Sequence, residues 1–125
     1  MTSITYFEIQ AKQPELLIDF YQSVFGWKFI PVPEIPIPYW RIETDGIHGG
    51  LLQRPASTPP PECGTNAYVC SMLVEDVEAV TAVVLSKGGI VAMPKFALAG
   101  VGWHGYFLDP DGNTFGVFQP DPLAA

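Results

Sequence analysis

Residues 45–53 read DGIHGGLLQ and residues 111–119 read DGNTFGVFQ. Each segment begins with Asp-Gly, which favours a turn, and continues as a short apolar run that is typical of a strand. A strand, a helix and an aromatic-rich strand precede each of them. A unit repeated in this order predicts two copies of one βαβββ module in tandem. We therefore expect an α+β fold in which the two modules form a curved mixed sheet around a central cleft.

Two helices are predicted from the spacing of apolar residues. The first begins at Pro14, which tolerates the first helical position because an N–H there would have no partner, and it ends at Gly26. The second follows Asp76, a favourable N-cap, and ends at Lys87-Gly88-Gly89. The predicted strands are residues 4–10, 27–31, 39–43, 47–53, 66–74, 90–93, 103–108 and 113–119.

The length of 125 residues fits one compact domain with its own core. We expect a single domain over residues 1–125. Its parts would be module 1 at about 1–54, a linker without periodicity at about 55–65, and module 2 at about 66–125.

The formal net charge of −7, with only six Lys and Arg residues, disfavours binding to nucleic acid and to anionic membranes. The chain has no apolar run near the roughly 18 residues that a membrane span needs, and its first residues do not form a basic and apolar leader. We therefore expect a cytoplasmic protein with no nucleic-acid or membrane partner. Cys63 and Cys70 are expected to be free thiols, because a chain of this size does not need a disulfide.

Four short segments also occur in this order in a known group of proteins: FYQSVFGW at 20–27, VEDV at 74–77, GVGW at 100–103 and DPDGN at 109–113. On these segments and the module order, the chain resembles the vicinal oxygen chelate superfamily, which includes glyoxalases, bleomycin-resistance proteins and extradiol dioxygenases. The resemblance implies a glyoxalase-like domain whose paired modules curl around a cavity. It also implies a homodimer.

Metal-dependent members of that superfamily hold a divalent ion with His or Glu side chains on the first and last strands of each module. The resemblance places these positions on Tyr6, Gly50, Val69 and Gly116. Val and Gly side chains offer no donor atom, and a phenol with a pKa of about 10 is a poor ligand while it is protonated. We therefore expect no metal ion and no other cofactor.

Side chains alternate between the two faces of a strand, so the second neighbours of these four positions would face the cleft as well. On the third strand of module 1, Trp40 and Ile42 are expected to pack on the helix, which leaves Tyr39 and Arg41 for the cleft. The predicted ligand-binding residues are Tyr6, Glu8, Tyr39, Arg41, His48, Gly50, Val69, Ser71, Trp103, Phe107, Thr114 and Gly116.

The polar residues of this set allow more than one interpretation. In one interpretation Glu8 and Arg41 only neutralise each other; in another, Arg41 clamps a carboxylate or phosphate through its planar guanidinium. Glu8 and His48 are also candidates for a catalytic acid and base, because a carboxylate can orient an imidazole that titrates near neutral pH. The alternative for His48 is that it caps a turn or faces solvent. His104 is expected to point away from the Trp103 side of its strand.

Three functions follow as hypotheses. The first is a small-molecule-binding protein, similar to glyoxalases and bleomycin-resistance proteins, with a degenerate metal site. The second is a lyase, isomerase or dioxygenase-like enzyme of the same superfamily that uses non-standard residues such as Glu8 and His48. The third is a non-catalytic accessory subunit. The first is favoured, with a small molecule and a second copy of the chain as the expected partners.

Overall fold

The computed structural model describes residues 1, 3–64 and 67–125. The chain divides into two compact units, Met1–Pro59 and Pro60–Ala125. The boundary between them falls inside the segment 55–65. The predicted cleft between the modules stays a prediction.

The first unit has the order strand, helix and three strands. Its elements are β1 (Tyr6–Ala11), α1 (Pro14–Phe25), β2 (Lys28–Pro31), β3 (Tyr39–Glu43) and β4 (His48–Gln53). The strands form one sheet in the order β1-β4-β3-β2, in which β1 runs parallel to β4 and the other pairs are antiparallel. The first and last strands of the unit are therefore hydrogen-bonded neighbours.

The second unit repeats this arrangement after one turn of 3₁₀ helix at Pro61–Cys63. Its elements are β5 (Ser71–Leu73), α2 (Val77–Ser86), β6 (Ile90–Leu98), β7 (Gly102–Leu108) and β8 (Thr114–Pro120). The sheet order is β5-β8-β7-β6, again with the first and last strands parallel. The prediction of two βαβββ modules in an α+β fold is confirmed.

Helix α1 begins and ends where its sequence signals lie. Pro14 occupies its first turn, and Gly26 ends it in the left-handed conformation at φ 71°, donating its N–H to Gln22. Leu17 and Phe20 are fully buried on the face that α1 turns towards the sheet, and α1 contacts β4. This face supplies most of the apolar burial that holds α1 in place.

Helix α2 is fixed at its start by two side chains. Asp76 accepts hydrogen bonds from the backbone N–H groups of Glu78 and Ala79, at 2.9 and 3.3 Å, so the predicted N-cap is confirmed. Val77 donates its backbone N–H to Gln119 Oε1 at 2.9 Å. Since Gln119 lies on β8, this bond ties the start of α2 to the sheet.

Two strands differ from their predicted bounds. Strand β5 covers only Ser71–Leu73 rather than 66–74, and residue 66 lies outside the described part of the chain. Strand β6 extends through Pro94 to Leu98, beyond the predicted bounds of 90–93. β6 lies at the edge of its sheet and contains two register shifts, and a proline that donates no hydrogen bond is tolerated at such a place.

No helix in the described residues has the length and apolar character needed to cross a membrane.

Neighbouring positions on α1 provide a test of this packing. Leu17 is 1 % exposed and Leu16 is 44 % exposed. We expect Leu17→Ala to lower the free energy of unfolding by about 2–5 kcal/mol, because it removes buried methyl groups and leaves a cavity. Leu16→Ala should change it by less than about 0.5 kcal/mol. Urea unfolding of both variants measures the difference, and equal losses would contradict the assigned buried face of α1.

Candidate functional site

One face of the first sheet carries the predicted polar residues of module 1. The register pairs Tyr6 with His48, Glu8 with Gly50, and Arg41 with Gly50, so these five share a face with Tyr39, which lies two residues before Arg41. The opposite face is the buried one, and its fully buried members are Ala11, Ile42 and Leu51. The geometry predicted for this sheet is therefore confirmed, while a role in ligand binding stays a prediction.

A hydrogen-bonded cluster of Tyr6, Tyr39 and Glu8 occupies this face. The Tyr39 hydroxyl donates to Glu8 Oε2 at 2.8 Å, and the hydroxyls of Tyr39 and Tyr6 lie 2.8 Å apart. Desolvation, the hydrogen bonds to Tyr6 and Glu8, and the nearby charge of Glu8 raise the pKa of Tyr39 well above its ordinary value. Tyr39 is thus held as a neutral phenol.

Gly50 makes room for this cluster. A Cβ atom at residue 50 would collide with the hydroxyl and ring of Tyr39, so the side chain of Tyr39 occupies the space above this residue. Tyr39 pairs with Leu52 in the β3–β4 register and reaches diagonally across to Gly50. Only glycine allows a tyrosine hydroxyl to approach the backbone of β4 this closely.

The two candidate pairings of Glu8 are not formed in this structure. Arg41 Nη2 lies 3.1 Å from Glu43 Oε2, so the predicted neutralisation of Glu8 by Arg41 is wrong. His48 is exposed, and its side chain makes no hydrogen bond or ion pair within residues 1, 3–64 and 67–125. Glu8 interacts with Tyr39 instead.

The open face of the second sheet differs from the prediction. Gly116 pairs with Ser71 on one side and with Tyr106 on the other, so these three residues share a face, together with His104 two residues before Tyr106. Trp103 and Phe107 lie on the opposite face, and their predicted orientation is wrong. Gly105, between these two residues in alternation, lies on that face as well.

Trp103 and Phe107 make structural contacts on this opposite face. Phe107 is 2 % exposed and stacks on Phe115 with ring centroids 5.6 Å apart. Trp103 Nε1 donates to Asp121 Oδ2 at 3.0 Å, and Lys95 Nζ lies 4.5 Å from the centroid of the Trp103 ring. These contacts hold the core and the chain end of the second unit.

A one-residue difference between two turns explains the error. Residues 44–47 join β3 to β4, whereas residues 109–113 join β7 to β8. The second turn is longer by one residue and is closed by buried Asp109, whose carboxylate accepts from the backbone N–H groups of Asp111 and Asn113 at 2.8 and 2.9 Å. A shift of one residue moves every side chain of a strand to its other face.

His104 and Tyr106 are the residues that the sequence prediction missed. His104 Nε2 lies 3.1 Å from Ser71 Oγ, within hydrogen-bond distance. The His104 ring is parallel to that of Phe96, at 5.6 Å and 2°, and is stacked near Tyr106, at 4.7 Å and 26°. With a turn of five residues between β7 and β8, Gly116 pairs with Tyr106, and His104 lies on the same face two residues earlier. The length of this turn is therefore the signal that would have identified both residues.

Gly116 makes room on the second sheet much as Gly50 does on the first. A Cβ atom at residue 116 would come within 3.0 Å of Ser71 Oγ and His104 Nε2.

Of the remaining predicted residues, Thr114 begins β8 opposite Leu108, and Val69 lies before β5 and is 40 % exposed. Val69 therefore belongs to no strand, contrary to the prediction of a strand over 66–74.

A cavity of about 210 Å³ lies elsewhere in the second unit. Phe107 contributes to it, on the face of the sheet opposite to Ser71 and His104. The lining residues are Glu78, Thr81, Val91, Met93, Pro94, Lys95 and Phe107.

A sequence model of the Glyoxalase/Bleomycin resistance protein/Dioxygenase superfamily matches residues 3–117. The chain belongs to this superfamily. The resemblance predicted from the four short segments is therefore confirmed.

Curated relatives of this superfamily member are longer proteins. "Putative glyoxylase CFP32" from Mycobacterium bovis and its namesake from Mycobacterium tuberculosis are each 29 % identical to it over 118 residues. The match covers 90 % of this chain and 43 % of each relative. The chain thus spans less than half the length of these relatives.

Solved structures of the superfamily share the fold at low sequence identity. A glyoxalase/bleomycin resistance protein/dioxygenase family enzyme from Burkholderia phytofirmans aligns with a TM-score of 0.74 at 17 % identity, covering 94 % of this chain and 98 % of its own. The fosfomycin resistance protein FosX from Listeria monocytogenes aligns with a TM-score of 0.77 at 14 % identity, covering 97 % and 93 %. At such identities the likeness establishes the fold alone.

The contact between Gly50 and Tyr39 can be measured by a double-mutant cycle. We expect Gly50→Ala to lower the free energy of unfolding by about 1–3 kcal/mol, because the added methyl group forces the Tyr39 side chain out of its position. In a Tyr39→Ala background the same change should cost less than about 0.5 kcal/mol. A loss of the same size in both backgrounds would mean that Tyr39 does not occupy this space.

The raised pKa of Tyr39 gives a pH dependence with a definite sign. The unfolded chain releases this proton near pH 10, whereas the folded chain holds it to higher pH. The contribution of Tyr39 to stability is therefore complete below pH 10 and is lost as the pH rises above that value towards the folded-state pKa. Denaturant unfolding of the protein and of Tyr39→Phe, over a series of alkaline pH values, should show a steeper loss of stability above pH 10 in the protein than in the variant.

A spectroscopic titration checks its cause. The difference in phenolate absorbance between the protein and Tyr39→Phe isolates the ionisation of Tyr39. We expect Glu8→Gln to lower the pKa of Tyr39, because it removes a neighbouring negative charge. Glu15→Gln, the same change at an exposed position of α1, should leave it unaltered. Equal effects of the two substitutions would contradict the assigned contact.

Proposed function

We propose that the protein binds a small organic molecule on the open faces of its sheets and does so without a resident metal ion. The observation that carries this proposal concerns two glycines, Gly50 and Gly116, at positions where the resemblance places metal ligands. The space above Gly50 is taken by Tyr39, and the space above Gly116 is taken by Ser71 and His104. Polar side chains occupy the space at both positions, and this supports a site without a metal ion.

The donor set does not fit a divalent cation. Among the four positions given by the resemblance, Tyr6 alone has a side-chain donor atom, and its oxygen is hydrogen-bonded to Tyr39. No three His, Cys, Asp or Glu side chains lie together as a possible metal site in the part of the chain that the structure describes. One solved structure of a FosX variant from Listeria monocytogenes holds Mn(II) with dihydroxypropylphosphonic acid. In this chain, Gly50, Val69 and Gly116 have no side-chain atom that could bind such an ion.

The open faces have the composition of small-molecule sites. Tyr6 is 42 % exposed beside Tyr39 and Glu8, which supplies a ring surface and a few fixed polar groups. On the second sheet, the Ser71–His104 pair lies beside the rings of Phe96 and Tyr106. Aromatic surface with a small number of placed polar groups is typical of ligand-binding sites.

Catalysis by Glu8 and His48 is less well supported. A general base has to reach the group that it orients or deprotonates, and within the described residues the Glu8 side chain is hydrogen-bonded to Tyr39 rather than to His48. Binding without chemistry remains the function that the geometry favours. A homodimer and a cytoplasmic location are further parts of the proposal, supported by the resemblance and by composition.

Metal analysis and thermal denaturation together test the proposal. We expect dialysis against Mn²⁺ or Zn²⁺ to leave no stoichiometric ion on the protein, and chelator to leave its melting temperature unchanged. Some compound of a small-molecule library should raise that temperature, since a ligand at one hundred times its Kd adds about 2.7 kcal/mol of stability. One ion retained per chain, and lost in Tyr6→Phe or His48→Ala, would contradict the metal-free proposal.

A further inference from the structure

We propose that the Tyr6–Tyr39–Glu8 cluster recognises a protonated amine of the ligand. This inference rests on the proposed function, since it takes the open face of the first sheet to be a binding surface. It adds the chemical class of the group that binds there. The cluster lies on β1 and β3 beside Gly50 of β4.

The hydrogen bonds of the cluster have a fixed direction. A phenol has one proton, and that of Tyr39 is donated to Glu8 Oε2 at 2.8 Å. The contact of 2.8 Å between the two hydroxyls must then use the proton of Tyr6, with the oxygen of Tyr39 as acceptor. Every proton of the cluster is therefore used inside it. What remains for a ligand is lone pairs, on the Tyr6 oxygen and on the second carboxylate oxygen of Glu8.

The charge of the cluster is negative, because its only ionised group is a carboxylate. Glu8 has no cationic partner within the described residues. Arg41, the nearest cation in the register on this face, is paired with Glu43 at 3.1 Å. The cluster thus keeps one negative charge that no neighbouring side chain neutralises. The net charge of −7 on the whole chain acts in the same sense.

These two properties of the cluster match those of an ammonium group. An ammonium group carries three donors, no acceptor and one positive charge, which complements a cluster that offers only acceptors and a negative charge. A carboxylate or phosphate would meet lone pairs and like charge at the same place. The half-exposed ring of Tyr6 adds a surface over which a cation is favourable.

The cluster is also held in position before any ligand arrives. The hydroxyl of Tyr39 is fixed between Tyr6 and Glu8 and lies against the backbone at Gly50. Fewer rotamers are then lost on binding, so more of the interaction appears as affinity. The raised pKa of Tyr39 keeps its proton in place across the physiological range.

Three probes that share one ring and differ in their head group test the inference: benzylamine, benzyl alcohol and benzoate. Each is titrated at neutral pH into the full ¹⁵N-labelled chain, and amide shifts are followed on β1 and β4. We expect benzylamine to give saturable shifts at residues 6–8 and 48–50, with a Kd about fivefold lower than that of benzyl alcohol. Benzoate should give no saturable shift there.

Glu8→Gln keeps the size of the side chain and an acceptor for Tyr39 while it removes the charge. It should weaken benzylamine binding about fivefold and leave benzyl alcohol binding unchanged. Glu15→Gln makes the same change of net charge on α1 and should leave both unchanged. The dispersion of the amide spectrum shows that each variant is folded.

Two results would overturn the inference, and they differ in what they say of the proposed function. If benzylamine and benzyl alcohol bind this face equally, or Glu8→Gln affects neither, amine recognition is wrong while small-molecule binding stands. If no probe perturbs β1 or β4 and no library compound raises the melting temperature, both the inference and the proposed function are wrong.

Discussion

Strand register is the constraint on which the candidate site of each unit depends. In both sheets the first and last strands are parallel neighbours, which sets Glu8 beside Gly50 and Ser71 beside Gly116. The third strand then adds its side chains to the same face according to the length of the turn that precedes the last strand. A turn of four or five residues therefore decides which aromatic residues reach the open face.

In both modules a glycine on the last strand makes room for polar side chains, and these side chains differ between the modules. At equivalent positions of the last strands, glycine leaves a space that a neighbouring side chain fills. In the first unit the occupant is the phenol of Tyr39, bonded to a carboxylate. In the second unit the occupants are the hydroxyl of Ser71 and the imidazole of His104. The arrangement of strands around these glycines is the same in the two sheets, whereas the polar groups beside them differ.

The sequence predicted those features whose signals are local. Pro14, Gly26 and Asp76 each act through the backbone of their own helix, and both helices form where these residues indicate. The polar face of the first sheet followed correctly from alternation. The open face of the second sheet was predicted wrongly, because the length of the turn before the last strand decides which side chains of the third strand lie on the same face as those of the last strand. The extent of β6 past Pro94 also depended on its edge position, which no local pattern shows.

The two open faces also differ in whether their hydrogen bonds have a fixed direction. In the first sheet the carboxylate of Glu8 can only accept while it is ionised, and this fixes the proton positions of Tyr39 and Tyr6 in turn. In the second sheet Ser71 and His104 can each donate or accept, so their bond can reverse with the imidazole tautomer. The hydrogen-bond polarity of the first face is therefore fixed, whereas that of the second can reverse. Under the proposed function, this difference assigns discrimination by ligand charge to the first unit.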